Sequence, residues 1–254
     1  MKVICIIPAR YGSTRFPGKA LADLAGKPMI QHVYERVLKA RTLSFAAVAT
    51  DDERIIAAVE GFGGRAIMTA VTHRSGTDRI AEAVSRLGIE DSDIVVNIQG
   101  DQPLFEPSQI DEVAKPLLED PAIAMSTLIY KIVREEEISH PNAVKVVFDC
   151  DHFAIYFSRA RIPYVRDKVR EGSYYKHHGI YAYRREFLKK FTALPEGNLE
   201  TLEALEQLRA LEHGYRIKVV ETPYDSVEVD TPQELARVRR LLEAKGSPQK
   251  GDQE

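Results

Sequence analysis

One glycine-bearing loop concentrates anion-binding side chains near the start of the chain. Residues 10–19 read RYGSTRFPGK and hold two glycines, two hydroxyl groups and three fixed positive charges. Glycine lets backbone N–H groups approach an anion, arginine offers paired donors to phosphate oxygens, and lysine adds a mobile charge. The loop is not a P-loop, because Gly12 and Gly18 stand one position too far apart, and it lacks the G-x-G-x-x-G dinucleotide fingerprint. We interpret it as a polyphosphate cradle, with a solvated surface loop as the alternative.

Two aspartates further along the chain are suited to a metal ion. Asp101 lies in the turn QGDQP after an apolar run, where it fits equally an aspartate that bonds its own backbone. Asp230 precedes a helical pattern, but Thr231, Pro232 and Glu234 already form a capping box with proline at the first helical position. The Asp230 carboxylate is therefore not needed as the helix cap. Two carboxylates without His or Cys predict Mg²⁺ rather than zinc.

A basic cradle that faces two aspartates is the arrangement that nucleotidyl transfer requires, because cations and Mg²⁺ neutralise the transferring phosphate. Residues 73–79, HRSGTDR, supply further donors and a glycine that could contact a base. Ser75 and Asp78 in this segment also fit a simple helix start. Both interpretations stay open on the residues alone.

The segments with this chemistry follow short apolar runs, which predicts that one sheet positions them. All-apolar strands are typical of a parallel sheet covered on both faces, and ligands bind at the carboxyl ends of such strands. Strands are predicted at residues 3–7, 45–49, 65–68 and 94–98, and helices at 29–38, after a capping box at 50–53, and at 77–87. The fold class is therefore α/β, a doubly wound and mostly parallel sheet.

From about residue 124 the alternation of predicted strands and helices gives way to strands with few helices between them. We predict a small inserted antiparallel β subdomain at about residues 124–184, with strands at 124–130, 144–149, 153–157 and 180–183. A helix at 199–213, a strand at 217–221 and a helix at 231–244 complete a single domain of residues 1–245. Residues 246–254 are predicted to form a disordered tail.

Composition excludes several classes of protein. The 35 Lys and Arg nearly balance the 38 Asp and Glu, giving a formal net charge of −3, which argues against a nucleic-acid-binding surface. The hydrophobic content of 44% argues against a disordered chain. No apolar run approaches the ~18 residues of a membrane span. Cys5 and Cys150 have neither zinc nor redox spacing, so we expect free thiols in a cytoplasmic protein.

Seven blocks resemble the family of CMP-Kdo synthetases, the 3-deoxy-manno-octulosonate cytidylyltransferases, in order from residue 1 to about residue 243. They are PARYGSTRFPGK at 8–19, SGTDR at 75–79, NIQGD at 97–101, YFSRA at 156–160, GIY at 179–181, LEQLR at 205–209 and VDTP at 229–232. The first block alone indicates only a sugar nucleotidyltransferase; the later blocks narrow the resemblance. One departure is Gln102, where family members often have an acidic residue.

The resemblance implies a nucleotide-diphospho-sugar transferase-like fold and a Mg²⁺-dependent reaction. CMP would pass from CTP to the anomeric 2-hydroxyl of 3-deoxy-D-manno-octulosonate (Kdo), releasing pyrophosphate and giving CMP-Kdo for lipopolysaccharide core biosynthesis. It also implies a homodimer, with residues 156–170 at the interface and the inserted subdomain serving dimerisation and sugar binding. The expected partners are CTP, Kdo and a second copy, with no nucleic acid or membrane.

The resemblance also implies site residues. The catalytic set is Arg10, Lys19, Asp101 and Asp230, of which the two aspartates bind Mg²⁺. The nucleotide set is Ala9, Arg10, Ser13, Thr14, Arg15, Lys19, Arg74, Ser75, Gly76 and Gln99. The sugar set is Gln99, Arg159, His177, Tyr181, Glu206 and Gln207, with His177 chosen over His178. From the residues alone, Glu206 would be a solvated helical side chain and Tyr181 a core or surface residue.

Three other functions compete with this interpretation. The chain could be a cytidylyltransferase for another acidic sugar, such as an 8-amino Kdo analogue or sialic acid. It could be a non-catalytic nucleotide-binding module that keeps the fold, although Lys19, Asp101 and Asp230 argue against that. Hydride transfer on a Rossmann sheet is excluded by the missing glycine fingerprint.

Overall fold

A nine-stranded sheet organises the chain in this computed structural model, which describes residues 1–12, 16–167, 172–225 and 227–246. The strands are β1 (Val3–Ala9), β2 (Asp23–Leu24), β3 (Lys27–Pro28), β4 (Leu43–Thr50), β5 (Ala66–Met68), β6 (Ile94–Asn97), β7 (Met125–Lys131), β8 (Lys145–Phe148), β9 (Ala154–Ser158), β10 (Tyr175–Arg184) and β11 (Lys218–Glu221). Strands β2 and β3 form a separate small hairpin.

The helices lie between these strands along the chain. They are α1 (Met29–Val37), α2 (Glu53–Gly61), α3 (Gly76–Arg86), α4 (Ser108–Glu119), α5 (Glu135–Ser139), α6 (Arg185–Ala193), α7 (Asn198–Glu203), α8 (Leu208–Glu212) and α9 (Pro232–Gly246). In the described part of the chain, no helix is long and apolar enough to cross a membrane.

The main path of the sheet has the order β11-β7-β10-β6-β1-β4-β5. Strands β6, β1, β4 and β5 pair in parallel, whereas β10 runs antiparallel between β6 and β7. The predicted α/β, doubly wound and mostly parallel sheet is thus confirmed. Within residues 124–184, β7 and β10 lie in the main sheet, and β8 and β9 form an antiparallel extension from β10.

Two apolar cores cover the two faces of the sheet. Cys5 and Ile7 of β1 pack with α1 and α4, while Ile4 and Ile6 pack with α3 and α6. Alternate residues of a strand point to opposite faces, so a strand covered on both sides must be apolar throughout. This double burial explains the unbroken apolar run at the N-terminus, and it holds the carboxyl end of β1 in a fixed position.

Two local predictions need correction, and one lies mostly outside the described residues. The capping box predicted at residues 50–53 is wrong, because Thr50 still pairs with Met68 in the sheet and Asp52 caps α2 by accepting the Arg54 N–H. The helix predicted at 199–213 is interrupted at Ala204, which has a φ of 49° and separates α7 from α8. The predicted tail falls outside the described residues, apart from Gly246 at the end of α9.

Candidate active site

The loop after β1 is folded back by one backbone hydrogen bond. The Gly18 N–H donates to the Tyr11 carbonyl at 2.9 Å. Gly18 has a φ of 70°, and a Cβ there would lie 3.1 Å from the Tyr11 ring, so both conformation and space require glycine. The guanidinium of Arg54 stacks on the Tyr11 ring, 3.3 Å from its centroid. These contacts fix where Lys19 begins its short 3₁₀ turn.

Lys19 joins the two predicted metal aspartates. Its Nζ lies 2.6 Å from Asp101 Oδ2 and 2.9 Å from Asp230 Oδ1. Burial by itself would lower the pKa of Lys19, but the two carboxylates outweigh it and hold this pKa above its ordinary value. The structure therefore brings Asp101 and Asp230 to one place, as the sequence predicted.

The capping box at the start of α9 explains why the Asp230 side chain is available. The Glu234 carboxylate accepts the backbone N–H groups of Asp230 at 2.7 Å and Thr231 at 2.9 Å. The Thr231 hydroxyl accepts the Glu234 N–H at 3.2 Å. Because Thr231 and Glu234 satisfy the helix start, Asp230 does not serve as its cap, and the predicted capping box is confirmed.

The donor set fits Mg²⁺. Two carboxylates that reach the same cation supply the hard oxygen ligands that Mg²⁺ prefers, and this ion takes its other ligands from water and substrate phosphates. Within the described ranges, no group of three or more His, Cys, Asp or Glu could hold a metal ion. Asp101 and Asp230 would thus be the protein's own contribution to the site.

A pocket of about 300 Å³ opens above Lys19. It is lined by seven of the ten residues predicted to bind nucleotide: Ala9, Arg10, Lys19, Arg74, Ser75, Gly76 and Gln99. Ser13, Thr14 and Arg15 lie outside the described residues. Ser75 lines the pocket and also caps α3 through a capping box with Asp78, which confirms the helix-start interpretation of this segment. Contact of the segment with a base stays a prediction.

Arg79 and His73 line the same pocket. Both lie in the segment 73–79 that was expected to contact a base, but neither was assigned as a site residue. Arg79 is only 4% exposed and donates to Asp51 Oδ2 at 2.7 Å and to the Thr69 hydroxyl at 2.6 Å. Asp51 directly follows β4, at the same edge of the sheet as the other site residues. That position could have indicated that its partner Arg79 belongs to the site.

His73 is paired with Glu82. Burial would raise the pKa of Glu82, but the Ala70 N–H, His73 and Arg86 lower it to about 2. Glu82 is therefore a fixed negative charge beside the His73 ring.

The predicted sugar residues on β10 form an aromatic wall. The His177 ring lies 5.2 Å from both the Phe157 and Tyr181 rings, and its Nε2 is 3.0 Å from the Thr127 hydroxyl. Burial, helped by the neighbouring His178, lowers the pKa of His177 to about 3, so this ring is neutral at physiological pH. Burial likewise raises the pKa of Tyr181 well above its ordinary value.

Glu206 and Gln207 turn inward at the break between α7 and α8. Glu206 Oε2 accepts the Thr77 hydroxyl at 2.5 Å, and burial raises the pKa of this carboxyl. Glu206 Oε1 and Gln207 Nε2 are buried without a hydrogen-bond partner among the described residues. The view of Glu206 as a solvated helical residue is wrong, because residues 199–213 do not form one helix.

Gln99 links this side to the nucleotide pocket. Its Nε2 donates to Asn97 Oδ1 at 3.0 Å, and Asn97 pairs with Tyr181 across the sheet. Gln99, which lines the nucleotide pocket, is thus joined through Asn97 to the strand that carries Tyr181.

The Arg159 guanidinium lies on backbone carbonyls. It donates to Glu203 O at 2.7 Å, Pro141 O at 3.1 Å and Ala204 O at 3.2 Å. An arginine has five N–H donors, so two remain without an acceptor among the described residues.

Gln102 and Glu228 form a contact beside the two aspartates. Gln102 Nε2 donates to Glu228 Oε1 at 3.1 Å, and the Val229 N–H donates to Asp101 O at 2.9 Å. Burial raises the pKa of Glu228, and the charge of Asp101 adds to this. Position 102 thus ties the Asp101 turn to the segment before Asp230.

Comparisons with known proteins agree with this geometry. A family model described as cytidylyltransferase matches residues 4–217. The 3-deoxy-manno-octulosonate cytidylyltransferase of Syntrophus aciditrophicus (strain SB) is 72% identical over 95% of this chain and 97% of its own length. The 8-amino-3,8-dideoxy-manno-octulosonate cytidylyltransferase of Shewanella sp. (strain ANA-3) is 55% identical over 95% of this chain and 99% of its own.

A solved structure shows the same fold with a nucleotide bound. It is that of CMP:2-keto-3-deoxy-manno-octonic acid synthetase complexed with CTP, with a TM-score of 0.91 and 44% identity. The match covers 96% of this chain and 100% of that chain. These findings confirm the resemblance drawn from the sequence blocks.

Proposed function

This chain belongs to the cytidylyltransferase family, and we propose that it transfers CMP from CTP to the anomeric 2-hydroxyl of Kdo. Pyrophosphate leaves, and the product is CMP-Kdo for lipopolysaccharide core biosynthesis. The observation that carries the proposal is the Lys19 ammonium group between Asp101 and Asp230, at a pocket that Arg10 and Ser75 also line. The identification of Kdo as the sugar substrate rests on the names of the relatives.

The triphosphate is held by the loop after β1. Arg10 and Lys19 line the pocket and present cationic donors to phosphate oxygens. Ser13, Thr14 and Arg15, from the same loop, complete the predicted set. Arg74, Ser75 and Gly76 contact the cytosine and ribose at the start of α3. We expect the bound triphosphate to draw Lys19 away from the aspartates, since both compete for the same ammonium group.

Asp101 and Asp230 would hold Mg²⁺ through their carboxylate oxygens. When bound, this ion neutralises phosphate charge and helps to orient the α-phosphate for in-line attack. The attacking group is the anomeric hydroxyl of the sugar. Gln99 lies between the subsites, where it orients the sugar against the nucleotide.

The sugar is bound by buried polar side chains. Some are held in their uncharged forms, and others have a polar atom without a hydrogen-bond partner among the described residues. His177 and Tyr181 act as neutral hydrogen-bonding groups because burial disfavours their charged forms. Glu206 Oε1 and Gln207 Nε2 supply an acceptor and a donor for sugar hydroxyl groups. The two remaining N–H groups of Arg159 receive the sugar carboxylate.

We propose a cytoplasmic homodimer. A groove of about 740 Å³ is lined by Val133, Arg161, Tyr164, Val165 and Tyr174, among others. Tyr164 is 84% exposed and Val133 is 73% exposed, which favours a covered state in a second copy. Residues 168–170 of the predicted interface lie outside the described residues. Free thiols at Cys5 and Cys150 support a reducing compartment.

Pyrophosphate release tests the reaction. We expect release with CTP and Kdo together, little with either alone, and little with UTP or ATP in place of CTP. Activity with UTP and a neutral sugar phosphate, and none with Kdo, would overturn the proposal. Tight CTP binding without pyrophosphate release would favour a non-catalytic module.

An acidic-sugar panel tests the substrate. The 55% identical relative is named for the 8-amino analogue, so this sugar is the second candidate. A kcat/KM for Kdo above those for the 8-amino analogue and sialic acid supports Kdo. A higher kcat/KM for one of the other two sugars would identify that sugar as the substrate instead of Kdo.

A further inference from the structure

The turn at Ala204 sets the direction of two sugar-site residues. Ala204 has a φ of 49°, in the left-handed region that non-glycine residues rarely adopt. The turn ends α7 and places Glu206 and Gln207 before α8, facing Thr77 and the interior. A strained alanine persists only where its surroundings hold it in place. The contacts that hold it therefore bear on the sugar site.

The Glu203 carboxylate binds the end of β9. It accepts the Ser158 hydroxyl at 2.6 Å, the Arg159 N–H at 2.9 Å and, weakly, the Tyr156 hydroxyl at 3.5 Å. The two shorter bonds are charge-assisted and join the last residue of α7 to a strand of the sheet. Burial would raise the pKa of Glu203, but these donors lower it, so the carboxylate stays ionised.

The Arg159 side chain makes a second set of hydrogen bonds between the end of β9 and the turn at Ala204. Its guanidinium donates to the carbonyls of Glu203 and Ala204, at 2.7 and 3.2 Å. Carbonyls at a helix C-terminus lack intrahelical partners, and a basic side chain can satisfy them. The carboxylate and carbonyl of Glu203 are thus both bound by residues at the end of β9.

We propose that Glu203 is a positioning residue for the sugar site: by its bonds to Ser158 and Arg159 it holds the left-handed turn at Ala204, which aims Glu206 and Gln207 at the sugar. Nothing in the sequence pattern marked Glu203 for this role. The inference rests on the proposed function, since it takes those two residues as sugar ligands.

The other end of α7 provides a matched control. The Glu212 carboxylate accepts the N–H groups of Leu199 at 2.8 Å and Glu200 at 3.1 Å. Glu212→Gln therefore weakens the same helix by the same chemical change, but at its N-terminus and away from the turn.

Four variants test the proposal: Glu203→Gln, Ala204→Gly, the double variant and Glu212→Gln. We expect Glu203→Gln to raise the KM for Kdo about tenfold while the KM for CTP stays within about twofold. Glycine adopts a positive φ without strain, so Ala204→Gly should restore much of the Kdo KM in the double variant. Glu212→Gln should leave the Kdo KM near that of the parent chain.

Amide hydrogen exchange of the substrate-free protein separates this proposal from the proposed function. We expect faster exchange at residues 205–209 in Glu203→Gln, and slower exchange again in the double variant. Unchanged exchange there, a failure of glycine to rescue, or an equal rise in Kdo KM for Glu212→Gln would overturn the role of Glu203. Absence of pyrophosphate release by the parent chain would instead overturn the function.

Discussion

The Nζ of Lys19 lies 2.6 Å from Oδ2 of Asp101, a residue 82 positions further along the chain. This ammonium group occupies the oxygens that a divalent ion would use. In the proposed mechanism, the Lys19 side chain contacts the two metal-binding aspartates without substrate and binds phosphate when substrate is present. Its removal should separate the two roles.

Lys19→Met should bind Mn²⁺ more tightly than the parent chain in the absence of nucleotide, because the competing cation is gone. Turnover should fall by about 10²–10³-fold, since a phosphate-stabilising charge is lost. Electron paramagnetic resonance titration of free Mn²⁺ and pyrophosphate release measure the two effects. Lys27→Met, at a surface ion pair with Glu35, is the control. Weaker Mn²⁺ binding in Lys19→Met would contradict the competition.

Asp101→Asn and Asp230→Asn should each lower pyrophosphate release by at least about 10²–10³-fold, because the charge that holds the metal is halved. Both proteins should stay folded, since the side chains lie at the site rather than in either core. Circular dichroism and Mn²⁺ titration check the fold and the metal. Asp111→Asn, at an exposed contact with Thr42, should behave as the parent chain does. Near-normal release from either site variant would refute the metal assignment.

His177 should make the protein less stable as the pH falls. Its pKa is about 3 in the folded chain and about 6.5 when unfolded, so between these values the unfolded chain binds the extra proton. The free energy of unfolding should therefore decrease below about pH 6.5, by at most about 1.4 kcal/mol per pH unit from this group. Above that pH the contribution is constant.

Urea unfolding from pH 7 to pH 4 measures this slope. His177→Gln should flatten it, whereas His140→Gln, at an exposed histidine, should keep the slope of the parent chain. An equal slope in His177→Gln would show that this ring does not control acid stability.

Tyr164→Asp combined with Val133→Asp should yield a monomer, because charges would replace the apolar side chains of the proposed interface. Light scattering after size exclusion gives the mass directly. Leu202→Asp, at another exposed apolar residue, should leave the dimer intact. A monomeric parent chain would contradict the dimer.

Sequence reasoning succeeded where local chemistry decides. Unbroken apolar runs that alternate with segments of helical periodicity predicted the parallel sheet, because strands buried on both faces must be apolar throughout. The T-x-x-E pattern at Thr231 predicted a capping box at the start of α9 without Asp230 as the cap, and the contacts of Glu234 confirm it. The Kdo assignment came from motif blocks, not from periodicity.

Only the tertiary structure decided the rest. Alanine favours helix, so the sequence around Ala204 does not predict a left-handed turn. In our proposal, the bonds that Glu203 receives from Arg159, at the end of β9, hold this turn. Arg159 was expected at the sugar, yet three of its donors bind carbonyls of two distant segments. The sequence by itself determined the sheet and which side chains could meet a nucleotide, because propensity and capping are local. How Lys19, Asp101 and Asp230 meet, and which way Glu206 faces, depended on contacts between residues far apart in the chain.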